Sequence, residues 1–96
     1  MTMSSKKSPR TSQEKQNLGL LGIHIRKWRE QKGLTQEQFA PIAGLPRSYV
    51  TEIETGKRNV SFLNLVKIIT ALGVSDSEVI TLFKEATKKK EQQVGE

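Results

Sequence analysis

Between Pro46 and Asn59 the chain reads PRSYVTEIETGKRN, a run whose polar side chains suit recognition rather than catalysis. Tyr49, Val50 and Ile53 recur at helical spacing, and Gly56 supplies a stop, so the run predicts a helix over about Arg47 to Thr55. The face left over near its amino end offers Arg47, Ser48, Thr51 and Glu52, with Tyr49 at the edge. A guanidinium fork matches the O6/N7 edge of guanine, and a carboxylate can accept from cytosine N4. Glu52 could equally orient Arg47. Such a helix, roughly 12–14 Å long at its usual rise per residue, suits a groove about 12 Å wide. Lys57, Arg58 and Asn59 follow as a basic turn placed to meet phosphates. The competing reading is a solvated helix face with phosphate contacts only, followed by an ordinary basic turn. Tyr49 either reaches a phosphate or a thymine methyl, or covers the core with its ring.

Other chemistries find no support. The chain has no cysteine, which removes disulfides and thiolate metal sites. Its single histidine, His24, reads as a surface or partly buried residue without a catalytic role, and no metal-ligand spacing surrounds it. The Ser and Thr residues lack a paired base, and no Gly-rich phosphate loop is present. Neither an enzyme nor a bound cofactor is expected. The formal net charge is +6 and the pI about 9.8, which favours a polyanionic partner, nucleic acid before anionic membrane. Residues 1–17 carry four Lys/Arg against one Glu, residues 18–74 eight against four, and residues 75–96 four against five acidic residues. The excess therefore lies in the amino-terminal tail and the central segment. No apolar run approaches the ~20 residues of a membrane span, and the amino terminus lacks the apolar segment of a signal peptide.

The elements that must position the polar face can be read in order. Met1 to Asn17 is Ser/Lys/Gln-rich, cannot offset its own ordering entropy, and is expected to be a disordered basic arm. Its KKSPR stretch, Lys6 to Arg10, either tracks phosphates or a minor groove or is a solubilising tail. Leu18, Leu21, Ile25 and Trp28 then repeat at helical spacing up to the stop at Gly33. Thr35-Gln-Glu-Gln38 is a capping box for a second helix with Phe39, Ala40, Ile42 and Ala43 inward and Gly44 at its end. Pro46 can open the third helix, where a missing N–H costs nothing. Pro41, inside the second helix, should push on the carbonyl of Glu37 and kink or shorten it. Ser61 caps a fourth helix carrying Phe62, Leu65, Val66, Ile69 and Leu72. Ser75-Asp-Ser-Glu78, a second capping box, opens a fifth with Val79, Ile80, Leu82 and Phe83 inside or at an interface. Lys88 to Lys90 suit the dipole at its end. A DNA-binding unit over residues 18–86 and a polar tail over 87–96 follow; no strand pattern and no internal repeat is present.

Across residues 36 to 55, the small Ala40, the Gly44 turn, Val50 and Ile53, with Phe39, Ala43 and Leu45 as the wedge between them, have the spacing of a helix-turn-helix. From that point TQEQFAPIAGLPRSYVTEIETGKRNVSFLNLVKIITALGV resembles the Cro/C1 (XRE-like) repressor family over about residues 18 to 83. The run Tyr-Val-x-x-Ile-Glu-x-Gly-Lys-Arg-Asn also resembles the controller proteins of restriction–modification systems. The resemblance implies an all-α, five-helix lambda-repressor-like domain that binds double-stranded DNA and regulates transcription. It implies base reading by Arg47, Ser48, Thr51 and Glu52; backbone contacts fall, on the chemistry of the residues, to Gln36 beside the free N–H groups that open the second helix, and to Tyr49, Lys57, Arg58 and Asn59. It further implies a structural salt bridge between Arg29 and Glu54, with Arg29 also near a phosphate. A cytoplasmic, nucleoid-associated protein of bacterial or phage origin would fit.

One recognition helix reads too few base pairs to find a site alone, so a homodimer on a palindromic operator is expected. By the family analogy Val74, Val79, Ile80, Leu82 and Phe83 form the dimer surface; the alternative is that they only close the monomer's core. A dimer on its operator would then block RNA polymerase, or contact it from an adjacent site and recruit it. Two other classes remain open from the sequence: an antitoxin-type module that binds a partner protein and autoregulates its operon, and a binder of structured RNA, which a helix shaped for a wide groove fits less well.

Overall fold

The computed structural model describes residues 9–88. Five helices and no strand occur among them: α1 (Ser12–Gln31), α2 (Gln36–Ala43), α3 (Arg47–Glu54), α4 (Phe62–Leu72) and α5 (Asp76–Thr87). Side-chain caps fix most of the starts. Thr35 and Gln38 exchange their reciprocal hydrogen bonds at α2, and Ser61 and Ser75 accept from the Asn64 and Glu78 amides. The Ser75 cap lacks the reciprocal half of a box.

The first helix starts six residues before Leu18, which corrects the expectation of disorder through Asn17. Thr11 and Glu14 form a full capping box that nucleates it. Once a helix is nucleated, each added Gln, Glu or Lys propagates it at little cost, even on a polar face. The arm over residues 1–8 and the tail beyond Lys88 lie outside the described residues.

The core is Ile25 and Trp28 of α1, Phe39, Ala40 and Ala43 of α2, Leu45, Val50 and Ile53 around α3, Ile68 and Leu72 of α4, and Leu82 of α5. Three residues of the expected apolar stripes point out. Ile42 is exposed, because α2 needs only Phe39, Ala40 and Ala43 to cover the core. On α4 the buried stripe is Ile68 and Leu72 with Leu65 beside it, while Phe62 and Val66 face solvent. Pro41 does not shorten α2, which runs through it to Gly44. Pro41 and Glu37 are both exposed, so solvent can reach the carbonyl left without its helical partner.

Packing of α1 on the end of α3 depends on Gly22. A Cβ there would stand 2.5 Å from the Ile53 carbonyl oxygen and 2.6 Å from that of Glu54. The helices approach so closely only because that atom is missing. On the far side His24 of α1 meets Glu85 of α5 through Nε2 and Oε1 at 2.8 Å, with its ring 5.6 Å from that of Trp28. This contact holds the last helix against the first.

Candidate nucleic-acid interface

The turn between α2 and α3 is set by Gly44, whose φ of 73° is left-handed. The Gly44 and Leu45 amides close the end of α2 onto the Pro41 and Ala40 carbonyls. Pro46 then stands as N-cap of α3, its missing donor falling where a helix has no partner for one. Val50 and Ile53 are buried against α1 and α2, which forces the remaining face of α3 outward. On it Arg47 and Ser48 are exposed, and Thr51, Glu52 and Tyr49 are half-buried.

An ion pair fixes α3 to α1. Arg29 Nε donates to Glu54 Oε2 at 2.6 Å and Arg29 Nη2 to Oε1 at 2.9 Å, with side-chain exposures of 8% and 2%. Arg29 Nη1 also donates to the Leu34 carbonyl at 2.6 Å, tying in the start of α2. Hydrogen bonding to Glu54 raises the Arg29 pKa and burial opposes it, the former prevailing, so the guanidinium stays charged. Its three nitrogens are occupied by protein acceptors.

The network continues to the polar face. Gln36 Nε2 donates to Glu54 Oε1 at 2.9 Å, and the Thr51 hydroxyl donates to Gln36 Oε1 at 2.7 Å. Gln36 is therefore turned inward, with one amide N–H left over. Sequence reasoning treated Gln36 and Thr51 separately. The available signal was spacing: Thr51 and Glu54 are three apart on one helix, so they share a face. Among the described residues no buried side-chain nitrogen or oxygen lacks a partner.

Glu52 pairs with Arg58, whose Nε and Nη2 lie 2.9 and 2.6 Å from Oε1. It does not orient Arg47, which lies 3.6 Å from Glu37 in a pair exposed on both sides. Such a contact is weak and yields readily to a ligand. Arg58 also lies over the Tyr49 ring, 5.1 Å from its centroid. The Tyr49 hydroxyl accepts from Asn64 Nδ2 at 3.0 Å, which leaves its own hydrogen to donate outward. Lys57 and Asn59 are exposed in the turn after α3.

The expected dimer residues divide. Leu82 is 3% exposed and belongs to the monomer's core, since α5 needs one inward leucine to seal against α1. Val74 packs against the same core and Val79 is half-buried. Ile80 and Phe83 are half exposed, at 52% and 50%. Phe62, Leu63 and Val66 form an outward stripe on α4, missed because the helix has apolar residues on nearly every side.

A family profile described as Helix-turn-helix matches residues 25–79, from the middle of α1 to the start of α5. The chain belongs to the XRE-type helix-turn-helix family. Control protein C.MunI of Mycoplasma sp is 46% identical over 61 residues, covering 62% of this chain and 82% of that one. Among solved structures, the restriction–modification controller protein C.AhdI from Aeromonas hydrophila is 44% identical with a TM-score of 0.63, covering 67% of this chain and 97% of the other. The controller protein C.Esp1396I, solved as a tetramer with its natural 35 base-pair operator, is 37% identical with a TM-score of 0.65, covering 75% and 96%. The amino-terminal turns of α1, Ser12 to His24, precede the matched profile. Among the described residues no helix is long and apolar enough to cross a membrane.

Proposed function

We propose that this protein is a sequence-specific regulator of transcription that binds palindromic double-stranded DNA as a dimer. The observation that carries the reading is the outward face of α3. Arg47, in a weak exposed pair with Glu37, and Ser48 are exposed at its amino end, while Val50, Ile53 and the Arg29–Glu54 pair lock the rest of the helix in place. A rigid helix with a free polar end is what major-groove reading requires. Arg47 is the guanine reader, and Ser48, Thr51 and Glu52 contact neighbouring bases. Lys57, Arg58, Asn59 and the Tyr49 hydroxyl hold the phosphates. Glu52 and Arg58 exchange their mutual pair for DNA contacts on binding.

Two half-sites are joined through the exposed apolar residues of α5, Ile80 and Phe83, with Val79 beside them. Similarity to controller proteins supports a role in a restriction–modification system, in which an occupied operator excludes RNA polymerase or recruits it from an adjacent site. The nucleoid is then its place of action. The test compares Arg47→Ala with Lys57→Ala. The first should relax preference at one guanine in each half-site, and the second should weaken all sequences alike and lower the salt slope by about two, one for each protomer. Equal loss at every base pair from both variants would count against base reading by α3.

A further inference from the structure

We propose that Gln36 is a positioning residue for specificity: it takes the hydrogen of the Thr51 hydroxyl, so that Thr51 selects a base carrying an exocyclic amino group, adenine or cytosine, on the strand it contacts. This rests on the DNA-binding reading above and adds the polarity of one contact to it. The polarity follows from a chain of groups with no freedom to reverse. Arg29 has only donors, and it fixes Glu54, a carboxylate with only acceptors. Glu54 Oε1 must therefore meet the nitrogen of the Gln36 amide, at 2.9 Å, not its oxygen. That sets the amide's orientation and points its oxygen at Thr51. An amide oxygen only accepts, so at 2.7 Å the Thr51 hydroxyl must donate.

The other acceptor near that hydrogen, the Arg47 carbonyl, stands at 3.2 Å, beyond the usual range for a hydroxyl donor, so it is Gln36 that holds the hydrogen inside the molecule. What the Thr51 oxygen can offer a base is then a lone pair alone. A hydroxyl free to turn would take a donor or an acceptor and discriminate little. Held this way, it accepts from adenine N6 or cytosine N4 and offers nothing to guanine O6, guanine N7 or thymine O4. The ion pair that fastens α3 to α1 thus also sets what α3 reads.

The test uses the full chain and an operator selected by the wild-type protein, with every half-site base pair permuted. Thr51→Val keeps the shape and the methyl and removes the oxygen. The base pair whose preference it alters is the Thr51 position. There the wild type should favour adenine or cytosine on the contacted strand by about five- to tenfold, as one hydrogen bond would give. Replacing that base by an analogue lacking the exocyclic amino group should cost wild type the same factor and leave Thr51→Val unaffected. Gln36→Ala frees the hydroxyl, so guanine and thymine should become accepted at that position while other positions keep their preferences. A merely structural Gln36 would lower affinity at all positions together.

The proposal is overturned if the Thr51 position favours guanine or thymine, if Thr51→Val alters no position, or if a folded Gln36→Ala retains the wild-type preference. Should Gln36→Ala fail to fold, Thr51→Val and the amino-deleted base still decide the polarity. A wild-type chain with no sequence preference anywhere would overturn the DNA reading itself; preference elsewhere with the wrong polarity here would overturn only the role of Gln36.

Discussion

Gly19 and Gly22 lie one helical turn apart on α1 and should respond to alanine with opposite signs. A Cβ at Gly19 has nothing within 4 Å, whereas one at Gly22 meets the Ile53 and Glu54 carbonyl oxygens at 2.5 and 2.6 Å and the Glu54 carbonyl carbon at 2.8 Å. Restoring ordinary contact at Gly22 requires α1 and α3 to separate by roughly 0.8 Å. The obstacle is backbone, so no side-chain rotation relieves it. Alanine gains about 1 kcal/mol over glycine in a helix interior, while forced overpacking costs about 1–3 kcal/mol. With backbone as the obstacle the upper end applies, and Gly22→Ala should lose about 1–2 kcal/mol net. Gly19→Ala should gain about 0.5–1 kcal/mol. At about 4–8 °C per kcal/mol for a domain of this size, Tm should fall by roughly 4–16 °C for one and rise by about 2–8 °C for the other. Thermal unfolding followed by far-UV circular dichroism measures both. A neutral or stabilising Gly22→Ala would refute the close seating of α3 on α1, and with it the rigid presentation of the polar face.

Two further outcomes follow from burial. Arg29→Ala strands the Glu54 carboxylate in a site where its side chain is 2% exposed, so urea titration should show a loss of about 3–5 kcal/mol. Removing both partners together should cost less than the sum of the single losses. On α5, Ile80→Glu should shift the dimer toward monomer in sedimentation without destabilising the monomer, whereas Leu82→Ala should cost about 2–5 kcal/mol in the folded monomer itself.

The junction of α2 and α3 was legible in the sequence because its causes are local. Gly44 needs a left-handed turn, Pro46 suits a helix start, and Thr35 with Gln38 announces a cap. The start of α1 was equally local, in Thr11 and Glu14, but the polar composition of the segment outweighed it. The register of α4 was not legible. Phe62, Val66 and Ile69 satisfy helical spacing as well as Leu65, Ile68 and Leu72 do, and only the position of α2 and α1 decides which set is covered. The same holds for Ile42, an apolar residue on a helix too short to bury two faces. The polar face of α3 could be listed from spacing, yet its partners could not. Glu52 takes Arg58 and Gln36 takes Thr51 because the turn after α3 and the start of α2 fold back beside it; spacing puts Thr51 and Glu54 on one face but does not bring Gln36 or Arg58 to it.

Selection of bound duplexes from a random double-stranded library, repeated over a series of salt concentrations, tests the proposed function most directly. The expected result is enrichment of a two-fold symmetric site whose half-site centres lie about one helical turn, or a multiple of it, apart. Affinity for that site should fall linearly on a log–log scale with salt, since Lys57, Arg58 and their partner copies displace counterions. A bound pool without a common motif, with the same salt slope, would contradict sequence-specific reading by α3 and leave only a basic surface.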